Sequence, residues 1–367
     1  MQRIDLDIPA AAYPIFVGHD ILGELGPRCR DLALGRQVAL VSDEVVAAHY
    51  LQPAGESLRT AGFEVLEVVY AGGEEAKNLR GAEGIFTQLI AAEFDRGAWV
   101  VALGGGVVGD MAGFVASTYL RGVPYVQVPT TIVAQVDSSI GGKTGVNHAL
   151  GKNLIGTFHQ PRLVLADTNA LHSLPRRERV AGMAEVVKHG LIRDAGLFAF
   201  LEEHLEEVVD MALEPETLDW LIGRNVEIKA EVVAADEKEQ GLRAILNYGH
   251  TIGHAIEAAT DYSRYRHGEA VILGLIAAGE IACREGLWPE AERQRQDALL
   301  VRLGVPGGLA AVDAERILAC AKADKKRVDG RLRFVLGRRI GAVEVVEGIT
   351  DETVRAAIEY VQHVGEG

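Results

Sequence analysis

The side chains best suited to chemistry concentrate between Glu185 and His267. Gly182-Met-Ala-Glu-Val-Val-Lys188 places Glu185 and Lys188 three residues apart, and Arg243-Ala-Ile-Leu-Asn-Tyr-Gly-His-Thr-Ile-Gly-His-Ala-Ile-Glu257 places His250 and His254 four apart. His267-Gly-Glu-Ala then opens another apolar run. Residues three or four apart on a helix share a face, so a carboxylate, an ammonium and three imidazoles can reach one pocket. A catalytic zinc takes three protein ligands and leaves a position for water or a substrate oxygen. Spacing alone selects His250 and His254, with Glu185 or His267 as the third ligand. The glutamate that follows the first histidine in zinc-metalloprotease helices is missing, since Thr251 stands there. The alternative is a hydrogen-bonded core histidine beside others on a polar helix face, which accounts for any one of these residues more readily than for the cluster.

These groups need a scaffold, and the first half of the chain alternates strand and helix patterns. Arg36–Ser42, Phe63–Tyr70, Trp99–Leu103 and Tyr125–Val128 are short apolar runs, separated by helix-compatible segments from about Glu44 to Ala61 and on to about Phe94. Strands separated by helices predict a parallel sheet covered on both faces. After Leu174 the character changes: segments near 215 to 235, 268 to 286, 290 to 303 and 351 to 362 carry helical periodicity. A late hairpin pattern, Arg331–Leu336 with Ile340–Val346, is the exception, and the basic cluster Lys322–Arg327 precedes it. The expected fold is therefore α/β: a Rossmann-like parallel-sheet domain at 1–174 and a mostly helical domain at 175–367, with the active site in the cleft between them.

Two glycine-rich stretches could hold anions. Gly104-Gly-Gly-Val-Val-Gly-Asp110 has the strand–glycine–helix character that lets backbone amides approach phosphate oxygens, though it lacks the regular dinucleotide spacing and follows a late strand. Asp43, at the end of an earlier strand, is placed to accept from a ribose hydroxyl. Asp137-Ser-Ser-Ile-Gly-Gly-Lys143-Thr and Gly151-Lys152-Asn153 form the second stretch. It has too few residues before the lysine for a nucleoside triphosphate loop. Lys143 and Lys152 read instead as separate contacts to phosphate or carboxylate.

At 367 residues the chain exceeds the length over which one core keeps growing. A formal net charge of -15 argues against binding nucleic acid or anionic membranes. The cysteines, Cys29, Cys283 and Cys320, have neither disulfide nor zinc-thiolate spacing. The amino-terminal stretch alternates like an edge hairpin and lacks the order of a secretory leader. A soluble, cytoplasmic protein acting on a small molecule is expected.

The glycine run, Pro129-Thr-Thr131, Asp137–Thr144, Gly151–Gly156, Met183–Lys188, Asn247–Glu257 and Asp324-Lys-Lys326 together resemble the 3-dehydroquinate synthases, in the family's order. The resemblance implies a cytoplasmic homodimer with NAD and one zinc, which cobalt can replace. It implies conversion of 3-deoxy-arabino-heptulosonate 7-phosphate to 3-dehydroquinate and phosphate. Its metal ligands fall on Glu185, His250 and His267, and His254 becomes a substrate-side group, which differs from the choice that spacing makes. Asp137, Lys143, Lys152, Asn153, Lys188, Lys229, Arg243, Asn247 and Lys326 are implied to surround the substrate. Arg121 is implied to reach the neighbouring subunit's phosphate site. The NAD contacts carry over to Asp43, Glu74, Glu75, Lys77, Gly105, Gly106, Val107, Val108, Gly109, Asp110, Thr130, Thr131, Ala170, Leu171, His172 and Ser173, with Lys143 and Lys152 nearby. The loop Gly72-Gly-Glu-Glu-Ala-Lys77 departs slightly from the family's usual Gly-Glu-x-x-Lys. A metal-dependent NAD alcohol dehydrogenase would share the glycine run and metal but not this density of Lys and Arg. Another sugar-phosphate cyclase would differ in its substrate contacts, and a binding module would need no metal triad.

Overall fold

The computed structural model describes residues 1–9, 11–325 and 332–364. The chain divides into two compact units, Met1–Leu174 with Glu214–Glu237, and Pro175–Leu213 with Lys238–Gly367.

In the first unit the chain runs β1 (Gln2–Ile8), β2 (Ala11–Gly18), α1 (Leu25–Asp31), β3 (Gln37–Asp43), α2 (Glu44–Thr60), β4 (Glu64–Tyr70), α3 (Leu79–Ala91), β5 (Trp99–Gly104), α4 (Gly106–Thr118), β6 (Tyr125–Pro129), β7 (Lys143–His148), β8 (Gly151–Phe158) and β9 (Val164–Asp167). Seven strands make one sheet in the order β1-β2-β9-β6-β5-β3-β4. Only the β1–β2 pair is antiparallel, with Ile4 opposite Ile15, so the amino-terminal hairpin forms one edge. Successive strand residues point to opposite faces, and the core divides accordingly. Val38, Leu40, Val101 and Leu103 pack with Leu25, Cys29, Ala54 and Leu58 of α1 and α2. Ala39, Val41, Val100 and Ala102 pack with Ile85 and Leu89 of α3 and Met111 and Val115 of α4. Both faces are covered, which is why these strands read as unbroken apolar runs.

The chain leaves β3 toward β4 on one side and returns as β5 on the other. At such a reversal of winding, the carboxyl ends of two neighbouring strands open a crevice, where α/β sheets bind ligands. Asp43 ends β3 and Gly104 ends β5, so the late position of the glycine run is the position this topology requires. The stretch 143–158 forms a separate antiparallel hairpin, β7 with β8.

The second unit begins with α5 (Arg176–Arg193) and α6 (Ala195–Val209). The chain then returns to the first unit as α7 (Pro215–Ala235), which packs against β1, β2 and the 134–138 turn. The division expected from sequence, 1–174 and 175–367, assigns α7 to the second segment. Its buried face, including Leu218, Ile222 and Val226, belongs structurally to the first. The second unit continues with α8 (His250–Ala259), α9 (His267–Arg284), α10 (Glu290–Gly304), α11 (Ala314–Lys325), the antiparallel pair β10 (Arg333–Arg339) and β11 (Ala342–Glu347), and α12 (Asp351–His363). Among the described residues no helix is long and apolar enough to cross a membrane.

Candidate active site

Two glycines let three helices of the second unit approach closely. A Cβ on Gly268 would lie 1.8 Å from the Ala181 carbonyl oxygen, and one on Gly274 would lie 2.0 Å from the Gly249 carbonyl oxygen. Glycine at both places lets α9 meet α5 and α8 backbone to backbone, which no other residue permits. The approach brings Glu185 of α5, His250 of α8 and His267 at the start of α9 together.

Glu185 is fully buried, and its Oε1 lies 3.5 Å from His250 Nε2 and 3.7 Å from His267 Nε2. The Lys188 ammonium lies against Oε2, yet neither oxygen has a hydrogen bond of acceptable geometry. A buried carboxylate without hydrogen bonds is costly. Separations of 3.5 and 3.7 Å are long for hydrogen bonds. They suit ligand atoms around a tetrahedral zinc, which stand roughly 3.4 Å apart at normal bond lengths. The other ring nitrogens are occupied: His250 Nδ1 is 3.1 Å from the Tyr248 carbonyl oxygen, and His267 Nδ1 is 3.2 Å from Glu257 Oε2. Each acceptor holds the proton on Nδ1, so Nε2 is the nitrogen that can bind a metal once it is unprotonated. The residues present therefore fit a divalent metal.

His254 stands in the same cluster, with ring centroids 5.3 Å from His250 and 5.6 Å from His267. One ligand atom from each of the three imidazoles can lie within 4.8 Å of the others, so the choice made by spacing is also sterically accessible. Glu185 faces His250 and His267 as well as Lys188, so a set of Glu185, His250 and His267 is accessible too. His254 and His267 are open to solvent.

Charge in the cluster follows the same geometry. Burial works against the Glu185 carboxylate, but Lys188, His250 and His267 outweigh it and hold its carboxyl well below the usual range. Burial and the Lys188 charge press His250 down to about 3. For His267, partial burial is overcome by Glu185 and Glu257, and it is pushed up to about 10. Arg243 is buried in the turn before α8, and Asn247 Nδ2 donates to Glu239 Oε1 at 2.8 Å.

In the first unit, Asp43 Oδ1 caps α2, accepting from the backbone N–H groups of Val45 and Val46 at 2.9 Å each. Gly105 is the N-cap of α4, and Gly106, Val107, Val108, Gly109 and Asp110 form its first turns, with the Gly109 N–H closing the first turn onto the Gly105 carbonyl at 3.0 Å; the amides ahead of it are those a helix end offers an anion. Thr130 and Thr131 follow β6, and Ala170, Leu171, His172 and Ser173 lie in the turn after β9. Thr130 and Ala170 line a cavity of about 290 Å³ at the carboxyl ends of β5, β6 and β9, with Tyr50 and His49 of α2.

Lys77 is almost fully buried, and its Nζ donates to Asp110 Oδ2 and Asn153 Oδ1, both at 2.6 Å. Burial pushes the Asp110 carboxyl up, and Lys77 opposes this. Asn147 strengthens the link. Its Nδ2 donates to Glu74 Oε1 at 2.7 Å, its backbone N–H to the Lys77 carbonyl at 2.8 Å, and its Oδ1 accepts from the Asn153 N–H at 2.8 Å. The loop holding Glu74, Glu75 and Lys77 is thus tied to the β7–β8 hairpin that carries Lys143, Lys152 and Asn153. Lys229 of α7 pairs with Asp137. Arg121 follows α4 in an exposed turn with φ 72°. Lys326 lies outside the described residues.

Sequence reasoning assigned no role to Glu257, Tyr248, Glu239 or Asn147. For Glu257 a signal existed: with His250 and His254 it forms an i, i+4, i+7 stripe on one helix face.

The 3-dehydroquinate synthase N-terminal family matches residues 67–181, and the 3-dehydroquinate synthase C-terminal family matches residues 182–327. The 3-dehydroquinate synthase of Nostoc punctiforme is 48% identical over 97% of this chain and 98% of its own length. A 2-epi-5-epi-valiolone synthase from Streptomyces hygroscopicus, solved with NAD+ and Zn2+ bound, superposes with a TM-score of 0.88 at 30% identity over 97% of this chain and 98% of its own. A 2-deoxy-scyllo-inosose synthase complexed with carbaglucose-6-phosphate, NAD+ and Co2+ gives 0.87 at 28% identity, covering 98% and 99%. The parallel-sheet unit and the helical unit place the chain in the fold class of the sugar-phosphate cyclases. Within that class, the chain belongs to the 3-dehydroquinate synthase family.

Proposed function

We propose that the chain converts 3-deoxy-arabino-heptulosonate 7-phosphate to 3-dehydroquinate and phosphate, with NAD on the first unit and a zinc or cobalt ion on Glu185, His250 and His267. The observation that carries the metal assignment is the fully buried Glu185 carboxylate, lacking a hydrogen bond of good geometry and facing two Nε2 atoms whose rings are each held from behind. Family membership carries the substrate. Bound there, the metal supplies Lewis acidity toward substrate hydroxyls, and the dinucleotide supplies reversible hydride exchange.

The chain's own groups do the rest. The amides at the start of α4 and Asp43 hold the dinucleotide, and Lys77 keeps its loop in register with the β7–β8 hairpin. Lys143, Lys152, Lys229, Lys188, Arg243 and Lys326 supply positive charge for the phosphate and carboxylate of the substrate, while Asn153, Asn247 and Asp137 orient its hydroxyls. His254, open to solvent in the cluster, exchanges a proton with the hydroxyl being oxidised, a role suited to an imidazole near neutral pH. A cytoplasmic homodimer, with Arg121 serving the neighbouring subunit, completes this reading.

The test is one assay with the heptulosonate phosphate and a catalytic amount of NAD. Phosphate is expected to appear without lasting NADH absorbance. Stoichiometric NADH would identify a dehydrogenase instead, and absence of both products would exclude this substrate.

A further inference from the structure

Glu257 takes no part in the proposed chemistry, yet its position is too costly to be incidental. It lies on α8, two turns after His250, and is only 4% exposed. An ionised carboxylate there must be stabilised by specific partners. One is His267, whose Nδ1 stands 3.2 Å from Glu257 Oε2 while its Nε2 faces Glu185 Oε1 at 3.7 Å. The imidazole therefore stands between two carboxylates, hydrogen-bonded to Glu257 at Nδ1 and turned toward Glu185 at Nε2. His250 has a weaker counterpart, a neutral backbone carbonyl at its Nδ1. The two rings are thus held by unequal acceptors, and His267 has the charged one.

We propose that Glu257 is the positioning residue of the metal centre: it holds the Nδ1 proton of His267, aims Nε2 at the metal position, and makes that nitrogen the stronger donor. The inference rests on His267 being a metal ligand. Its physical reason is that a carboxylate behind an imidazole sets ring orientation and tautomer and raises ligand basicity. His267 needs this more than His250 does. It stands at the open first turn of α9 and is solvent-exposed, whereas His250 is more enclosed, its side chain 12% exposed. The cluster also holds Lys188 against Glu185. A second carboxylate behind His267 offsets that positive charge, which would otherwise weaken cation binding.

The experiment uses the full chain stripped of metal, with zinc affinity measured by competition against a chromophoric chelator and the metal-free melting curve recorded in parallel. The variants are Glu257→Gln, which keeps size and an acceptor oxygen but removes the charge, and His267→Ala. Glu257→Gln is expected to weaken zinc binding by about 10- to 100-fold with an unchanged metal-free melting curve, while His267→Ala binds zinc more weakly still. Native zinc affinity in Glu257→Gln, alongside lost affinity in His267→Ala, would overturn the role of Glu257 and leave the ligand set standing. Native affinity in His267→Ala would overturn both. An equal fall in metal-free stability and zinc affinity in Glu257→Gln would make the residue a fold-stabilising group and also overturn the proposal.

Discussion

The backbone-to-backbone approach of α9 to α8 at the metal cluster offers a sharp test, Gly274→Ala. A methyl group there would lie 2.0 Å from the Gly249 carbonyl oxygen and 2.7 Å from the Gly253 nitrogen, both backbone atoms that no rotamer change can move. To reach even 3 Å, α8 and α9 must part by about 1 Å, an overpacking strain of roughly 1–3 kcal/mol. For a chain of 367 residues that lowers the melting temperature by only about 1–2 °C per kcal/mol. The functional effect should exceed the stability effect. Gly249 immediately precedes His250, so the strain enters one bond away from a proposed ligand, while His267 sits on the opposing helix. Metal sites tolerate ligand displacements of only about 0.2 Å, and misplacement of about 1 Å can cost roughly 100-fold in rate. Zinc affinity, turnover and melting temperature measured on one preparation check this. A folded Gly274→Ala protein with native zinc affinity and native turnover would refute the claim that this helix crossing sets the metal geometry.

His254→Ala is expected to retain about one zinc per subunit and lose about 100-fold or more in turnover, whereas His250→Ala and His267→Ala lose the metal. A zinc-free but folded His254→Ala protein would favour the i, i+4 ligand pair instead. In the metal-free protein His267 is pushed up to about 10 and His250 held down to about 3, so zinc binding at pH 8 should release about one proton, from His267. Because the folded value lies above the unperturbed value of about 6.5, the contribution of His267 to metal-free stability is fully present below that pH and fades as pH rises through about 10. Zinc affinity should climb over the same interval. Calorimetry in two buffers of different ionisation enthalpy counts the protons, and a count near zero at pH 8 would contradict this charge state. Gly84, exposed in the middle of α3 with nothing within 4 Å of an added Cβ, should give a protein about 0.5–1 kcal/mol more stable when changed to Ala, as urea denaturation would show.

The covered parallel sheet was legible in the sequence because its strands are buried on both faces, and such strands are written as continuous apolar runs: Val38–Val41 and Trp99–Leu103 need no partner to be recognised. Asp43 as the end of β3 and the start of α2 was equally local, since a side chain that caps a helix bonds to amides two and three residues on. The pairing of His250 with His254 came from helical periodicity, and their rings do stand side by side. Tertiary structure decided what periodicity cannot express. Glu185 and His267 are far apart in sequence, and only the glycine contacts that draw α9 onto α5 and α8 bring them face to face. The partners of Lys77 come from α4 and the β7–β8 hairpin, and α7 leaves its neighbours in sequence to pack on the first unit. The physical reason is the same in each case. Capping and amphipathic spacing are properties of a few consecutive residues, whereas a ligand set joining three helices depends on distances established by side chains, or their absence, elsewhere in the chain.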